Sequence, residues 1–412
     1  MFLVIAWRNI WAQKRRSLLT MGLSVFCTVF LIFFFAFMHG QHNKMLTDAI
    51  EIYTGYIQVT GKGYQDYPDY DHLIYDLDQI KQALTDLPQI EHASQRFQTF
   101  ALFAGEQDSA GGLLTGIVPE RERPLSRIQS AVTQGEYLSD TDQPYCLIGK
   151  KLAERLDVRL GDELTYLSQA VDMSTAADIL TIKGIFSTGS KIDDSGVFVA
   201  KRYMDEIFLT ANMASHYVLL PKPEYRFRYL DRLVGGINQR LAGTEAEAVS
   251  WKVPLKSMLQ LVKVDSAFGY FSYGILVVVI FFVIMIFSLI SVFHRTKEIG
   301  VLRAVGTTPR QILLMLLAEA LILGLIAVII GAAIGGFLVY YYHVHPLQFD
   351  IPQEILEQYQ QWGVVDMTFP TVFSYTAILN NCLFVLLLNI LAVLYPAVRV
   401  NAYKPVEAIN YV

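Results

Sequence analysis

Four stretches of this chain carry so little charge over so great a length that a lipid bilayer is the environment that accounts for them. Ser17–Met38 is 22 residues without a charged side chain, Phe268–Phe293 is 26, Phe369–Val398 is 30, and Gln311–Tyr342 is 32 with one acid, Glu319. A helix rises 1.5 Å per residue, so about 20 apolar residues cross the hydrocarbon core. Each stretch is long enough. A transmembrane barrel would instead show alternating segments of about 10 residues. The composition agrees: 17% of the residues are charged, against about 25% in a soluble domain. Lys14-Arg15-Arg16 precedes the first stretch, as basic residues precede a secretory signal. The apolar run is longer than a signal core, however, and no Ala-x-Ala-like site closes it, which favours an uncleaved anchor.

Charge sets the orientation. Residues 1–16 carry Arg8, Lys14, Arg15 and Arg16 and no acid, and the loop 294–310 carries Arg295, Lys297, Arg303 and Arg310 against Glu298. The loop 343–368 has Asp350, Glu354, Glu357 and Asp366 and no Lys or Arg. Short basic loops stay in the cytoplasm, so both termini and the 294–310 loop are expected inside. The region 41–265 holds 23 basic and 31 acidic residues, which excludes the basic face of a nucleic-acid binder. Cys27 and Cys382 lie in spans and Cys146 is alone in that region, so no intrachain disulfide framework or zinc spacing can form.

The expected organisation follows. Residues 1–16 form a cytoplasmic amphipathic helix, with Leu3, Trp7 and Trp11 on one face; a disordered basic leader is the alternative reading. Spans cover 17–40, 266–293, 311–342 and 371–398. An extracytoplasmic mixed α/β domain covers 41–265, a cytoplasmic loop 294–310, an outer loop 343–370 and a cytoplasmic tail 399–412. Inside the domain, Tyr56–Thr60 alternates like a strand, and Asp76–Leu87 presents Leu77, Ile80, Leu84 and Leu87 on one helical face before Pro88. Lys151–Leu156 and Lys201–Phe208 read as helices. The segment after the Gly161-Asp162 turn, Gly184–Ser187 and Val197–Ala200 read as strands. Leu255, Leu259 and Val262 keep helical spacing, so the second span is expected to begin well before its apolar part.

No catalytic signature emerges. The nearest approach to a phosphate loop, Gly55 to Gly61-Lys62, is one residue too long and continues into Gly63. H-E-x-x-H and G-x-S-x-G do not occur, and His343 and His345 at a membrane exit read as interfacial residues rather than metal ligands. The chain is therefore expected to have no catalytic residue, metal or cofactor of its own.

The most informative segment is the loop from His294 to Pro309. Glu298–Val305 can make two helical turns with Ile299, Leu302 and Val305 apolar, Gly306 is placed to end them, and Thr308 with Pro309 opens the next helix. Such a helix suits docking on a cytoplasmic partner; a basic connector on lipid phosphates is the other reading. Glu298-Ile299-Gly300-x-x-Arg303-Ala304-x-Gly306 resembles the signature loop of the MacB, LolC/LolE and FtsX permeases. The tail Tyr395-Pro396-Ala397…Lys404-Pro405-Val406-Glu407-Ala408 and the start Ala6-Trp7-Arg8-Asn9…Lys14-Arg15-Arg16-Ser17-Leu18-Leu19-Thr20 are similar to the same family. Gly55-Tyr56-Ile57-Gln58-Val59-Thr60, Ile148-Gly149-Lys150-Lys151-Leu152-Ala153 and Gly184-Ile185-Phe186 look most like the lipoprotein-releasing LolC/LolE branch.

That resemblance implies a multi-pass permease of the bacterial inner membrane with a MacB-like periplasmic core domain. It implies that ATP and Mg are bound by a separate ABC ATPase dimer, met by Glu298, Ile299, Gly300, Leu302, Arg303, Ala304 and Gly306. A second permease, identical or related, and a periplasmic carrier or adaptor are further implied partners. The cargo would be a lipoprotein or other lipid-like molecule, moved by mechanotransmission. Efflux of peptides or drugs in the MacB manner, or FtsX-like control of an extracytoplasmic enzyme, are the competing functions.

Within the spans, Glu319 reads either as an interhelical hydrogen-bonding acid, the favoured case, or as a proton or substrate group. Ala327, Gly331 and Gly335 repeat every four residues and permit close helix contact. Phe33, Phe34, Phe35, Phe37 and Met38, with Phe268, Tyr270, Phe271 and Tyr273, would line an apolar cleft if these ends met across a permease dimer. An interfacial aromatic belt is the alternative.

Overall fold

The structure, a computed structural model, describes residues 14–105, 108–189, 191–348 and 368–401, together with 7, 8, 10–12 and 355. Leu3, most of the 343–370 loop and the Lys404–Ala408 motif lie outside the described residues. Trp7 and Trp11 are both exposed, with ring centroids 6.0 Å apart.

Helix α1 (Lys14–Ala49) continues past the apolar run and ends in a π-helical turn, Ile50–Thr54. The large domain follows as β1 (Ile57–Gly61), α2 (Leu77–Ala83), β2 (Ile90–Ala104), β3 (Ser109–Ile117) and the single turn α3 (Pro119–Glu122). Next come β4 (Val132–Gly135), β5 (Tyr145–Gly149), α4 (Lys150–Leu156), β6 (Glu163–Gln169) and β7 (Thr175–Phe186). The domain ends with β8 (Gly196–Ala200), α5 (Lys201–Ile207), β9 (His216–Pro221), α6 (Leu230–Arg240) and β10 (Ala246–Ser250). Four helices complete the described chain: α7 (Lys256–Phe293), α8 (Thr296–Ala304), α9 (Pro309–Val344) and α10 (Tyr375–Asn401). A two-residue hairpin, β11 (Leu347–Gln348) with β12 (Thr368–Phe369), flanks the last loop. Residues 45–261 form one compact unit, and the helices before and after them form another.

The large domain is two sheets that share a strand. β10-β1-β9-β2 run antiparallel in that order. With α2 after β1 and α6 after β9, this is a split β-α-β arrangement of ferredoxin-like type. Its core gathers Ile57 and Val59 of β1, Leu77 and Ile80 of α2, and Leu230, Leu233 and Ile237 of α6. Everything from β3 to β8 is inserted between β2 and β9. There β2 pairs with β3, β3 with β8, β8 with β5, β5 with β7, β7 with β6, and β6 again with β2. The ring of pairings closes on itself, so its strands have no open edge between them. Phe97, Phe103, Leu114, Ile148, Tyr166, Leu180 and Val199 fill its core. All five residues of β1 and of β8 are buried; β8 is accordingly an apolar run, whereas β1 keeps its alternation although Gln58 and Thr60 on its second face are covered as well.

The four membrane-length helices carry mean hydropathies of 2.4 to 3.3 over their most apolar windows. Where α1, α7, α9 and α10 meet they bury Cys27, Leu31, Ile280, Ile284, Val328, Cys382 and Val385. Phe282, Ile286, Ile329 and Leu383 point outward, as expected of side chains whose solvent is lipid. Hydrogen bonds join the helices: Ser24 Oγ donates to Asn389 Oδ1 at 2.8 Å, Tyr273 OH to Asn381 Oδ1 at 2.6 Å, and His42 Nε2 of α1 pairs with Asp265 Oδ2 of α7 at 2.7 Å. The small residues of α9 set how closely α1 approaches. A Cβ at Gly331 would lie 2.6 Å from Thr28 Cβ, and one at Gly335 would lie 3.3 Å from Val29 Cα. Ala327 on the same stripe is fully buried.

Candidate coupling site

The segment between α7 and α9 folds by local rules that can be read one residue at a time. Thr296 Oγ1 donates to the Phe293 carbonyl at 2.7 Å as α8 begins. Glu298 stands in its first turn and Arg303 in its last, each suited to the helix dipole. The helix ends because Gly306 adopts a φ of +105°, open to glycine and costly for other residues. The Gly306 amide then bonds to the Arg303 carbonyl and the Thr307 amide to the Leu302 carbonyl, each at 3.1 Å, a Schellman closure. Thr308 and Gln311 form a reciprocal capping box with Pro309 at the first helical position.

α8 has two faces. Thr296, Ile299 and Gly300 are buried, and Ile299 packs with Val292, Ile312, Leu316 and Ala397. Burial of such a side chain contributes about 1.5–3 kcal/mol. On the other face Glu298, Val301, Leu302, Ala304 and Val305 are exposed, with Val305 at 84%, and Gly306 follows them. Arg303 is half-buried. Ile299, Leu302 and Val305, the apolar residues of the two turns, do not share one face. Steps of three residues advance 300° on a helix, so each step drifts 60° off the stripe. Ile299 therefore points inward, while Leu302 and Val305 join Val301 outside.

Beneath α8 lies a feature the sequence did not disclose. Arg295, just before the helix, is buried; its NH1 donates to Glu319 Oε2 of α9 at 2.5 Å and its Nε to Glu298 Oε2 at 3.2 Å. Glu319 is as buried as Arg295. In the sequence Arg295 is one of several topological charges, and nothing in its spacing to Glu319 marks a pair. Glu319 also borders a small cavity of about 60 Å³ whose polar lining includes Ser24, Ser288 and Asn389.

The aromatic residues meet within one chain. Tyr273 lies 6.2 Å from Phe34 and 6.0 Å from Phe35, and Tyr270 lies 6.1 Å from His39. Met38 fits against Gly269, where a Cβ would come within 2.5 Å of its sulfur. Phe33 packs on Tyr342 and Phe37 on Phe369. Phe268 and Phe271 project outward at 67% exposure each.

Comparison with known proteins places these features. The MacB-like periplasmic core domain matches residues 17–232, and the FtsX-like permease C-terminal domain matches residues 270–405. The lipoprotein-releasing system transmembrane protein LolC of Xylella fastidiosa (strain Temecula1) is 23% identical over 342 residues, which cover 80% of this chain and 79% of LolC. The macrolide export ATP-binding/permease protein MacB of Bdellovibrio bacteriovorus is 30% identical over 129 residues, 31% of this chain and 16% of that protein. Among solved structures, the periplasmic region of MacB from Actinobacillus actinomycetemcomitans aligns with 52% of this chain and 94% of its own, at 12% identity and a TM-score of 0.36. With one of these domains covering more than half of its length and the other most of the remainder, the chain belongs to the MacB/LolC/FtsX family of ABC transporter permeases.

Proposed function

We propose that this chain is the lever of a transporter that lifts a lipoprotein or other lipid-like molecule out of the inner membrane. In this reading α8 faces the cytoplasm with both termini. A partner ABC ATPase dimer, carrying ATP and Mg, docks on the exposed face formed by Val301, Leu302 and Val305, with Glu298 and Arg303 beside it. Movement of the ATPases then pushes α8. Its anchorage through Ile299 and the Arg295–Glu319 pair passes the push to α7, α9 and α10. The observation that carries this is the division of α8 into an anchored face and an exposed apolar face. Cargo of the lipoprotein class is supported by the similarity to LolC over most of both chains. The test is co-purification of the full-length protein with a co-expressed ABC ATPase from the same organism. Val301→Asp with Val305→Asp should leave insertion and thermal stability unchanged and abolish co-purification. Wild-type recovery of the ATPase by that double variant would overturn the docking face.

A further inference from the structure

The large domain is acidic overall, with 31 acidic to 23 basic residues, yet one of its pockets is lined by three arginines. Arg123, Arg127 and Arg226 line a pocket of about 650 Å³ together with Glu51, Tyr56 and Ser126. Three guanidinium groups thus share it with one carboxylate. We propose that this pocket binds the phosphodiester headgroup of a phospholipid.

Each arginine is held by a partner that uses only part of its donor set. Arg127 bonds to Asp48 Oδ1 at 2.9 Å and also to Glu51. Arg226 donates Nε to the Pro221 carbonyl at 3.1 Å, lies 3.7 Å from Glu91 and stacks 5.3 Å above the Tyr56 ring. Arg123 reaches Glu120 at 3.0 Å. A guanidinium has five N–H donors in a fixed fork, so donors remain on all three, and planar bidentate recognition is what phosphate oxygens favour. A second observation is independent of charge. Ser126 is more than nine-tenths buried on the pocket wall, and its Oγ has no hydrogen-bond partner among the described residues. A buried hydroxyl without a partner is uncommon, because its desolvation is uncompensated; turned about χ1 into the pocket, it would donate to a phosphate oxygen. Tyr56 OH already donates to Glu51 Oε1 at 3.1 Å, which turns that carboxylate toward the tyrosine and Arg127.

Nearby chemistry favours a lipid over a free anion. The chain running from Arg226 continues through Phe227, Arg228 and Tyr229, and Phe227 is 53% exposed while packing on Tyr56 and Trp251. Alternating basic and aromatic residues suit the boundary between headgroup and acyl chain. This assignment does not depend on the coupling role of α8.

The experiment uses the full-length protein in a phosphate-free detergent, titrated calorimetrically with dihexanoyl phosphatidylglycerol and, separately, with inorganic phosphate. The lipid should bind the wild type. Arg123→Gln and Ser126→Val should each weaken it by about tenfold while the unliganded melting temperature stays unchanged. Arg123 is the robust choice, because it loses a surface pair with Glu120 of small energetic weight and a 5.9 Å contact with the Tyr137 ring. No binding by the wild type, or equal binding by both variants, would overturn the site. Inorganic phosphate binding as tightly as the lipid would overturn the lipid assignment.

Discussion

Arg295 and Glu319 are 24 positions apart in sequence and joined by a 2.5 Å hydrogen bond where water is excluded. The energetics of such a pair are asymmetric. Forming it gains little over two well-packed apolar residues, but removing one partner strands a buried charge at a cost of about 3–5 kcal/mol. Glu319→Gln should therefore lower the thermal midpoint of the purified permease markedly, since Arg295 would keep only the exposed Glu298 as a charged partner among those described here. The double variant Arg295→Met, Glu319→Leu should recover much of that loss. A Glu319→Gln protein as stable as the wild type would show that the pair does not hold α8 in place. At this scale the sequence was most legible where one residue acts through its own backbone. Gly306, Thr308 and Pro309 do what their types suggest, because caps and turns are local. The partner of Arg295 was illegible because it depends on how two helices pack.

Among elements, α9 is defined by its narrow stripe. Gly331 sits where any side chain would enter Thr28 of α1. Gly331→Val should destabilise the bundle by about 1–3 kcal/mol through forced separation of the helices. Gly22→Ala, on α1 with nothing within 4 Å of the added carbon, should be neutral or slightly stabilising. Thermal denaturation of the two variants in the same detergent measures both; equal midpoints would remove the packing role of the stripe. The stripe was legible because close helix contact needs a spacing that only small residues supply. Inside the large domain the reading was uneven. α4, α5, β6 and β8 are where apolar pattern and turn residues agreed. The helix α2 stops at Ala83, short of the expected Leu87. The helix α6 escaped notice because Gly235 and Gly236 interrupt its interior, and glycine weakens a helical signal. β2 and β3 escaped because Gln95, Arg96, Gln98, Gly111 and Gly112 hide their alternation, which only neighbouring strands make sense of.

At the scale of the whole molecule, the sides of the membrane become a labelling experiment. Cys27, Cys146 and Cys382 are all buried, so they give little background to an impermeant thiol reagent. Val305 and Phe100 are 84% and 66% exposed. Phe100→Cys should label from outside intact spheroplasts, and Val305→Cys only after lysis. Labelling of Val305→Cys in intact spheroplasts would reverse the orientation proposed for α8 and with it the ATPase side. The strand β2 bears on what such a domain does under load. From Ile90 to Arg96 it belongs to the ferredoxin-like sheet, from Arg96 to Ala104 to the closed ring, and Arg96 itself pairs on both sides. One unbroken strand is thus a shared girder. A tug on either half cannot be absorbed by a hinge at their seam without breaking its hydrogen bonds, so the domain is built to be displaced whole rather than to bend.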